Sequence, residues 1–135
     1  MVVLIVEDEV IIAYCSAAML EEAGCEVLGP AHTSAEALEL MSKRQPDVAL
    51  VDIDLESRGA GIGVARELRA RFGTAIVFTT GQTDIASAHS DLAVMTLIKP
   101  YDPAELAEIV RIADSSTERS RKLRASRQPG DRAVQ

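Results

Sequence analysis

The chain has 135 residues, 47% of them hydrophobic, which suits one domain with one sizeable core. Aromatic residues make up only 3%, and this argues against a stacking surface for single-stranded nucleic acid. Residues 1–114 carry 8 Lys and Arg against 19 Asp and Glu, so this acidic body would repel nucleic acid and anionic membranes but suit a cation site.

The sequence patterns favour a cytoplasmic protein that does not enter a membrane. No apolar run approaches the about 18 residues of a membrane span. The apolar run at residues 2–6 has no basic region before it and meets Glu7 at once, unlike a signal peptide. Cys15 and Cys25 do not have zinc-ligand spacing, so we expect reduced thiols, with Cys15 in the core.

Strand and helix patterns alternate along residues 2–113. Apolar runs predict strands at 2–6, 26–29, 48–52, 75–79 and 93–98. Helical spacing predicts helices near 11–23, 34–43 and 64–68, a weak helix at 83–90, and a last helix that starts at Asp102-Pro103. Five strands alternating with five helices predict an α/β fold, with a parallel sheet and helices on both faces.

Apolar residues at helical spacing mark the faces of these helices. They are Ile11, Ile12, Cys15, Met19 and Ala23 in the first helix, Leu38 and Met41 in the second, Val64, Ala65 and Leu68 in the third, and Leu106, Ile109, Val110 and Ala113 in the last. From Ser115 onward the chain is basic with almost nothing to bury. We therefore interpret residues 115–135 as a frayed helix end followed by a disordered tail.

Polar residues stand at the carboxyl ends of four predicted strands. In an open α/β sheet, ligands bind outside the carboxyl ends of the strands, and in the order 2-1-3-4-5 the first and third strands are neighbours. The side chains in question are Glu7 and Asp8 after strand one, Asp52 and Asp54 after strand three, Thr80 at the end of strand four and Lys99 after strand five.

These residue types fit phosphoryl transfer to a carboxylate. Close carboxylates repel one another by roughly one to several kcal/mol each, and a divalent cation such as Mg²⁺ removes that cost. Asp52 offers a nucleophile, while Lys99 and Thr80 offer a positive charge and a hydroxyl donor to the transferred group. Singly, each residue has an ordinary role as a helix cap, a turn residue or a solvated end; their coincidence at four strand ends favours a site.

On these motifs the chain resembles a two-component response-regulator receiver domain over residues 1–114. The motifs are Leu-Ile-Val-Glu-Asp-Glu at 4–9, Pro-Asp-Val-Ala-Leu-Val-Asp at 46–52, Phe-Thr-Thr-Gly at 78–81 and Lys-Pro at 99–100. The resemblance implies a flavodoxin-like, doubly wound, five-stranded parallel sheet of order 2-1-3-4-5.

The resemblance also implies a role for each site residue. Asp52 would be the phospho-accepting aspartate, and Glu7 and Asp8 the acidic pair, with Asp8 a direct Mg²⁺ ligand. The backbone carbonyl of Asp54 would complete the protein's share of the metal shell. Thr80 would be the switch hydroxyl, and Lys99, in a cis Lys-Pro peptide, would bind the phosphoryl group.

The implied partners are a sensor histidine kinase or a histidine phosphotransfer protein, and a downstream protein that the sequence does not name. We expect a cytoplasmic, single-domain receiver, a monomer or weak dimer, that binds neither nucleic acid nor membrane. Its output would be a changed surface around the fourth helix, last strand and last helix. It would not be an enzyme beyond slow autophosphorylation and autodephosphorylation.

Three positions depart from the family pattern. Leu55-Glu56 stand where the family often has Met-Pro, and Thr96 stands where it has an aromatic switch residue. The motif at 78–81 is close to the Phe-Ala-Thr-Gly of a stand-alone subgroup linked to unorthodox histidine kinases. These departures affect the expected coupling of the switch more than the phosphorylation chemistry.

Two other classes of protein fit parts of the sequence. Asp52-Ile53-Asp54 matches the Asp-x-Asp signature of haloacid-dehalogenase-like phosphatases, although that signature should follow the first strand of the core. A pseudo-receiver that binds partners without phosphorylation is the second alternative, and the intact set of Asp8, Asp52, Thr80 and Lys99 argues against it.

Overall fold

The computed structural model describes residues 1–81, 91–93 and 95–126, with side chains to residue 116. The strands are β1 (Val2–Val6), β2 (Glu26–Ala31), β3 (Val48–Asp52), β4 (Ala75–Thr80) and β5 (Met95–Ile98). The helices within the described ranges are α1 (Val10–Glu22), α2 (Ser34–Lys43), α3 (Gly61–Phe72) and α4 (Pro103–Ser126). The weak helix predicted at 83–90 lies outside the described residues.

All five strands are parallel and lie in the order β2-β1-β3-β4-β5. The predicted α/β fold and strand order are therefore confirmed. α1, α2 and α3 connect β1 to β2, β2 to β3 and β3 to β4, because parallel strands need crossover connections. The chain reverses its direction of winding between β1 and β3, and the carboxyl ends of these two strands meet at that point.

Successive residues of the central strands pack into two separate cores, as the alternation of side chains along a strand requires. Leu4, Val6, Ala49 and Val51 pack with α2 and α3 on one face of the sheet. Val3, Ile5, Val48 and Leu50 pack with α1 and α4 on the other face. The helices thus cover both faces, which confirms the doubly wound arrangement.

Side-chain hydrogen bonds cap the starts of α2 and α4. Thr33 Oγ1 accepts a hydrogen bond from the backbone N–H of Glu36 at 3.1 Å. Asp102 Oδ1 accepts one from the N–H of Glu105 at 2.8 Å. Each cap satisfies an amide that the first helical turn leaves free, so the loop before the helix is fixed as well.

The predicted inner face of α1 is wrong. The buried residues of this helix are Ala13, Ser16, Ala17 and Leu20. Cys15 is exposed rather than in the core, and 80% of Ile11 is exposed. Helical spacing fails here because apolar residues surround the helix, so their period does not mark one side. In α2 the same error places Leu38 inward, whereas it is exposed and Ala37 is buried.

The last helix continues past residue 114, where we place the end of the receiver-like domain. The sequence predicts a frayed helix end from residue 115 onward, and α4 continues to Ser126. The sequence has no Gly or Pro from residue 104 to residue 128, and it is rich in Arg, Lys and Ser, which a helix tolerates. Residues 115–126 are therefore helical, and residues 127–135 of the predicted tail lie outside the described residues. No helix in the described ranges has both the length and the apolar character needed to cross a bilayer.

Candidate functional site

Three carboxylates meet at the carboxyl ends of β1 and β3. The two strands are hydrogen-bonded with Val6 opposite Val51, so the residues that follow, Glu7 and Asp52, lie side by side. One carboxylate oxygen from each of Glu7, Asp8 and Asp52 lies within 4.8 Å of the others. Glu7 and Asp52 are buried and Asp8 is exposed, so the cluster has a solvent-facing side.

Lys99 reaches this cluster from the far side of β4. Ile98 pairs with Thr80, and the backbone N–H of Lys99 donates to the carbonyl of Thr80 at 2.9 Å. The Lys99 ammonium lies 2.7 Å from Glu7 Oε1 and 3.4 Å from Asp52 Oδ2. The Lys99–Pro100 peptide is cis, as the resemblance implies.

The electrostatics of the cluster follow from burial. Burial is the largest cause that raises the pKa of Glu7 to about 7; the hydrogen bond to Lys99 opposes the rise, and Asp52 adds to it. Burial by itself lowers the pKa of Lys99, but its contacts with Glu7 and Asp52 outweigh that effect and raise it. Two buried carboxylates therefore face one ammonium in a partly desolvated site, and the exposed Asp8 carboxylate lies beside them.

Thr80 is the last residue of β4 and is fully buried. Its neighbour Thr79 is the register partner of Asp52, so the Thr80 backbone lies one step beyond the end of β3. The structure thus gathers the ends of β1, β3, β4 and β5 at one edge of the sheet. This is the arrangement that the sequence predicts for Glu7, Asp8, Asp52, Thr80 and Lys99.

Asp54 has a different environment from Asp52. Its backbone N–H donates to Asp52 Oδ1 at 3.0 Å, and its own Oδ1 accepts from the N–H of Gly59 at 3.1 Å. Ile53 and Leu55 are fully buried and anchor this loop to the core. Among the described carboxylates, the cluster comprises Glu7, Asp8 and Asp52, and the Asp54 side chain instead bonds its own loop.

Gly61 fixes the end of this loop against β3. Its N–H donates to the carbonyl of Ile53 at 2.8 Å. A Cβ at position 61 would lie 1.9 Å from the carbonyl oxygen of Asp52, far closer than atoms can approach. Glycine is therefore required for α3 to begin at this distance from Asp52.

Contacts that the sequence did not predict surround the exposed side of the cluster. The N–H of Glu56 donates to Asp8 Oδ2 at 3.1 Å, and the Glu56 carboxylate accepts from the N–H of Ser34. His32 Nδ1 lies 3.0 Å from the carbonyl oxygen of Glu7. In the sequence, the departure from the family pattern at Leu55-Glu56 indicates that this loop differs from the usual receiver loop. It does not indicate which groups Glu56 would bond.

A groove of about 450 Å³ lies beside Lys99, between α1 and the connection that follows β5. Its wall includes Ile11, Cys15 and Met19 of α1. Buried Ser16 joins the two sides, because its Oγ lies 2.7 Å from the hydroxyl of Tyr101. The outward residues of α1 next to the groove form an apolar surface, with Val10 and Tyr14 more than half exposed.

Comparison with known proteins gives consistent matches. The family model for the response regulator receiver domain matches residues 3–111. The transcriptional regulatory protein PdtaR of Mycobacterium tuberculosis is 34% identical over 116 residues, which are 84% of this chain and 56% of PdtaR. The phyllosphere-induced regulator PhyR of Methylorubrum extorquens is 28% identical over 110 residues, 80% of this chain and 41% of PhyR. The chain thus spans about half the length of these relatives.

Solved structures agree with the fold. A response regulator receiver domain protein (CheY-like) from Methanospirillum hungatei gives a TM-score of 0.78 at 25% identity, covering 88% of this chain and 97% of that chain. NtrX from Brucella abortus gives a TM-score of 0.85 at 24% identity, covering 93% of this chain and 29% of that chain, and this second likeness concerns the fold alone.

Proposed function

Since the chain belongs to the response-regulator receiver family, we propose that it accepts a phosphoryl group on Asp52, with Lys99 and Thr80 as its binding partners. The observation that carries this proposal is the position of Asp52. Its Oδ1 is held by the N–H of Asp54, and its Oδ2 faces the Lys99 ammonium at 3.4 Å. A fixed, buried carboxylate next to a cation suits a nucleophile whose product is an anion.

The residues present fit a Mg²⁺ ion. Hard carboxylate oxygens from Glu7, Asp8 and Asp52 lie within 4.8 Å of one another, and one ammonium does not balance their charge. We propose that these three side chains and the backbone carbonyl of Asp54 would hold the ion. When bound, Mg²⁺ would supply positive charge to the transferred phosphoryl group.

The proposed reaction transfers the phosphoryl group from a phosphohistidine. An oxygen of Asp52 attacks phosphorus, the P–O bond forms, and the P–N bond to the imidazole breaks with its electron pair on nitrogen. Lys99 neutralises charge on the phosphoryl oxygens, and the Thr80 hydroxyl donates a hydrogen bond to one of them. Receiver domains are phosphorylated by histidine kinases, so we propose a sensor kinase or a histidine phosphotransfer protein as donor.

Several finer properties belong to this proposal. We assign the receiver domain to residues 1–114 and expect slow autophosphorylation and autodephosphorylation rather than multiple-turnover catalysis. We propose a monomer or weak dimer in the cytoplasm, where the free thiols of Cys15 and Cys25 would stay reduced. The apolar surface of α1 beside the site supports docking of a protein donor.

The phosphatase alternative is disfavoured by Asp54. That chemistry needs both carboxylates of Asp-x-Asp to face the substrate, but the Asp54 Oδ1 accepts from Gly59. The pseudo-receiver alternative is disfavoured by the presence of Asp8, Asp52, Thr80 and Lys99 at one edge of the sheet.

Acyl-phosphate labelling tests the proposal directly. The protein is incubated with acetyl phosphate, with Mg²⁺ or with a chelator, and its intact mass is measured. We expect the mass of one added phosphoryl group with Mg²⁺, little with chelator, and a large loss in Lys99→Ala. The matched control is Lys43→Ala, which removes an exposed lysine of α2 far from the site. This variant should be labelled like the parent. Equal labelling with and without Mg²⁺, or none at all, would contradict the proposal.

A further inference from the structure

Glu56 joins three parts of the site through two hydrogen bonds. Its backbone N–H donates to Asp8 Oδ2 at 3.1 Å, and its carboxylate accepts from the N–H of Ser34 in the first turn of α2. Within the described ranges it is also the one residue other than glycine with a positive φ, 63°. A single residue on the β3–α3 loop therefore links the end of β1 to the start of α2.

We infer that Glu56 is a positioning residue for Asp8, which it holds in the orientation that binds Mg²⁺. The inference rests on the proposed function, since it assumes that Asp8 is a metal ligand. Glu56 itself contributes its N–H to Asp8 and its carboxylate to the anchor on α2. The carboxylate is not required as a ligand.

The backbone of Glu56 explains why the anchor is needed. A left-handed backbone is unfavourable for a residue with a Cβ and persists only where neighbouring groups hold it. Here the carboxylate is held by the Ser34 amide at a helix N-terminus, where a negative charge is favourable. The anchor thus maintains the φ that aims the Glu56 N–H at Asp8.

The sequence makes this bond possible at a position where the family often has proline. Proline has no backbone N–H and fixes φ near −65°, so it could neither donate to Asp8 nor adopt the φ of Glu56. The departure at Leu55-Glu56 therefore supplies a donor that the usual residue lacks. Asp8 is exposed, so without this donor its carboxylate would sample several rotamers.

Groups that orient a metal ligand commonly change metal affinity by tenfold or more. The test measures Mg²⁺ binding by isothermal titration calorimetry, without any phosphoryl donor. Glu56→Gly keeps the N–H and accepts a positive φ but lacks the anchor. Ser34→Pro removes the anchoring N–H at the first helical position, where proline is favourable. Both variants should therefore fold.

We expect each variant to weaken Mg²⁺ binding by about tenfold. Because both remove the same anchor, the double variant should bind no more weakly than either single variant. Glu56→Gln keeps the acceptor oxygen and loses the charge, so it should stay within about threefold of the parent. Glu108→Gln, an exposed charge on α4, is the control for net charge.

The outcomes separate the two proposals. A parent protein that does not bind Mg²⁺ would overturn the proposed function and this inference with it. A parent that binds Mg²⁺, with Glu56→Gly and Ser34→Pro binding equally well, would overturn this inference alone. Equal losses in Glu56→Gln and Glu56→Gly would also overturn it, because charge rather than the anchor would then be responsible.

Discussion

Two loops bring carboxylates to the same edge of the sheet, but they place them differently. In the loop at residues 7–9, Glu7 follows β1 directly, and the pairing of β1 with β3 fixes its position. In the loop at residues 53–60, Asp54 and Glu56 are two and four residues past the strand. Their carboxylates bond loop or helix amides rather than joining the cluster. Sheet register thus fixes Glu7, whereas local hydrogen bonds fix Asp54 and Glu56.

The largest expected effect contrasts the two aspartates of β3 and its loop. Asp52→Asn should abolish Mg²⁺-dependent labelling by acetyl phosphate because it removes the nucleophile. Asp54→Asn should still be labelled, because an amide oxygen can accept from Gly59 and the backbone carbonyl is unchanged. Intact-mass measurement of both variants checks this. Loss of a robust multiple-turnover phosphatase activity in Asp54→Asn would instead support the phosphatase alternative.

A second contrast tests how tightly the longer loop is closed against β3. Gly61→Ala should lower the free energy of unfolding by about 2–3 kcal/mol, because the new Cβ would clash with the carbonyl oxygen of Asp52. Gly63→Ala lies in the same helix with nothing within 4 Å of its Cβ, so it should be neutral or stabilising by up to about 1 kcal/mol. Urea unfolding measures both, and equal effects would refute the contrast.

The smallest expected effect is a shift in the pKa of Tyr101. This residue lies in the short connection after β5, and its hydroxyl is hydrogen-bonded to Ser16 of α1. Burial is the main cause that raises the pKa of Tyr101 above its usual 10, and the Ser16 hydroxyl partly offsets it. In Tyr14→Phe, which leaves one tyrosine, phenolate absorbance should therefore rise only above pH 10. Adding Ser16→Ala should shift the rise higher still.

The sign of the linked stability follows from the raised pKa. The folded state favours the neutral phenol, so the contribution of Tyr101 is complete below the unfolded pKa of about 10 and is lost as the pH rises through the folded value. A phenolate transition at the ordinary pH in Tyr14→Phe would contradict the partly buried position of Tyr101.

The same contrast explains what the sequence could predict. Apolar runs and the residues next to them gave the strands and the positions of Glu7, Asp52 and Lys99, because strand register leaves little freedom. The strand order followed from the family resemblance. The bonds of Glu56 depend on a left-handed backbone four residues past a strand, and no pattern marks that conformation. The inner face of α1 failed for another reason, since a helix with apolar residues all round has no preferred side.

The subgroup suggested by Phe-Thr-Thr-Gly stays a prediction, and so does a switch without an aromatic residue at Thr96. Thr96 is half-buried in β5 and is the register partner of Phe78. Phe78 of β4, which lies beside Thr96, is fully buried in the core.

The division of β3 between two cores constrains its length more strictly than its composition. Val48 and Leu50 belong to one core, and Ala49 and Val51 to the other. A substitution of similar volume changes one contact, but an inserted or deleted residue would exchange the two sets and turn Asp52 away from Lys99. One apolar residue of β3 can therefore replace another of similar volume. An insertion or deletion in this strand would disrupt the fold and displace the phosphoryl acceptor at the same time.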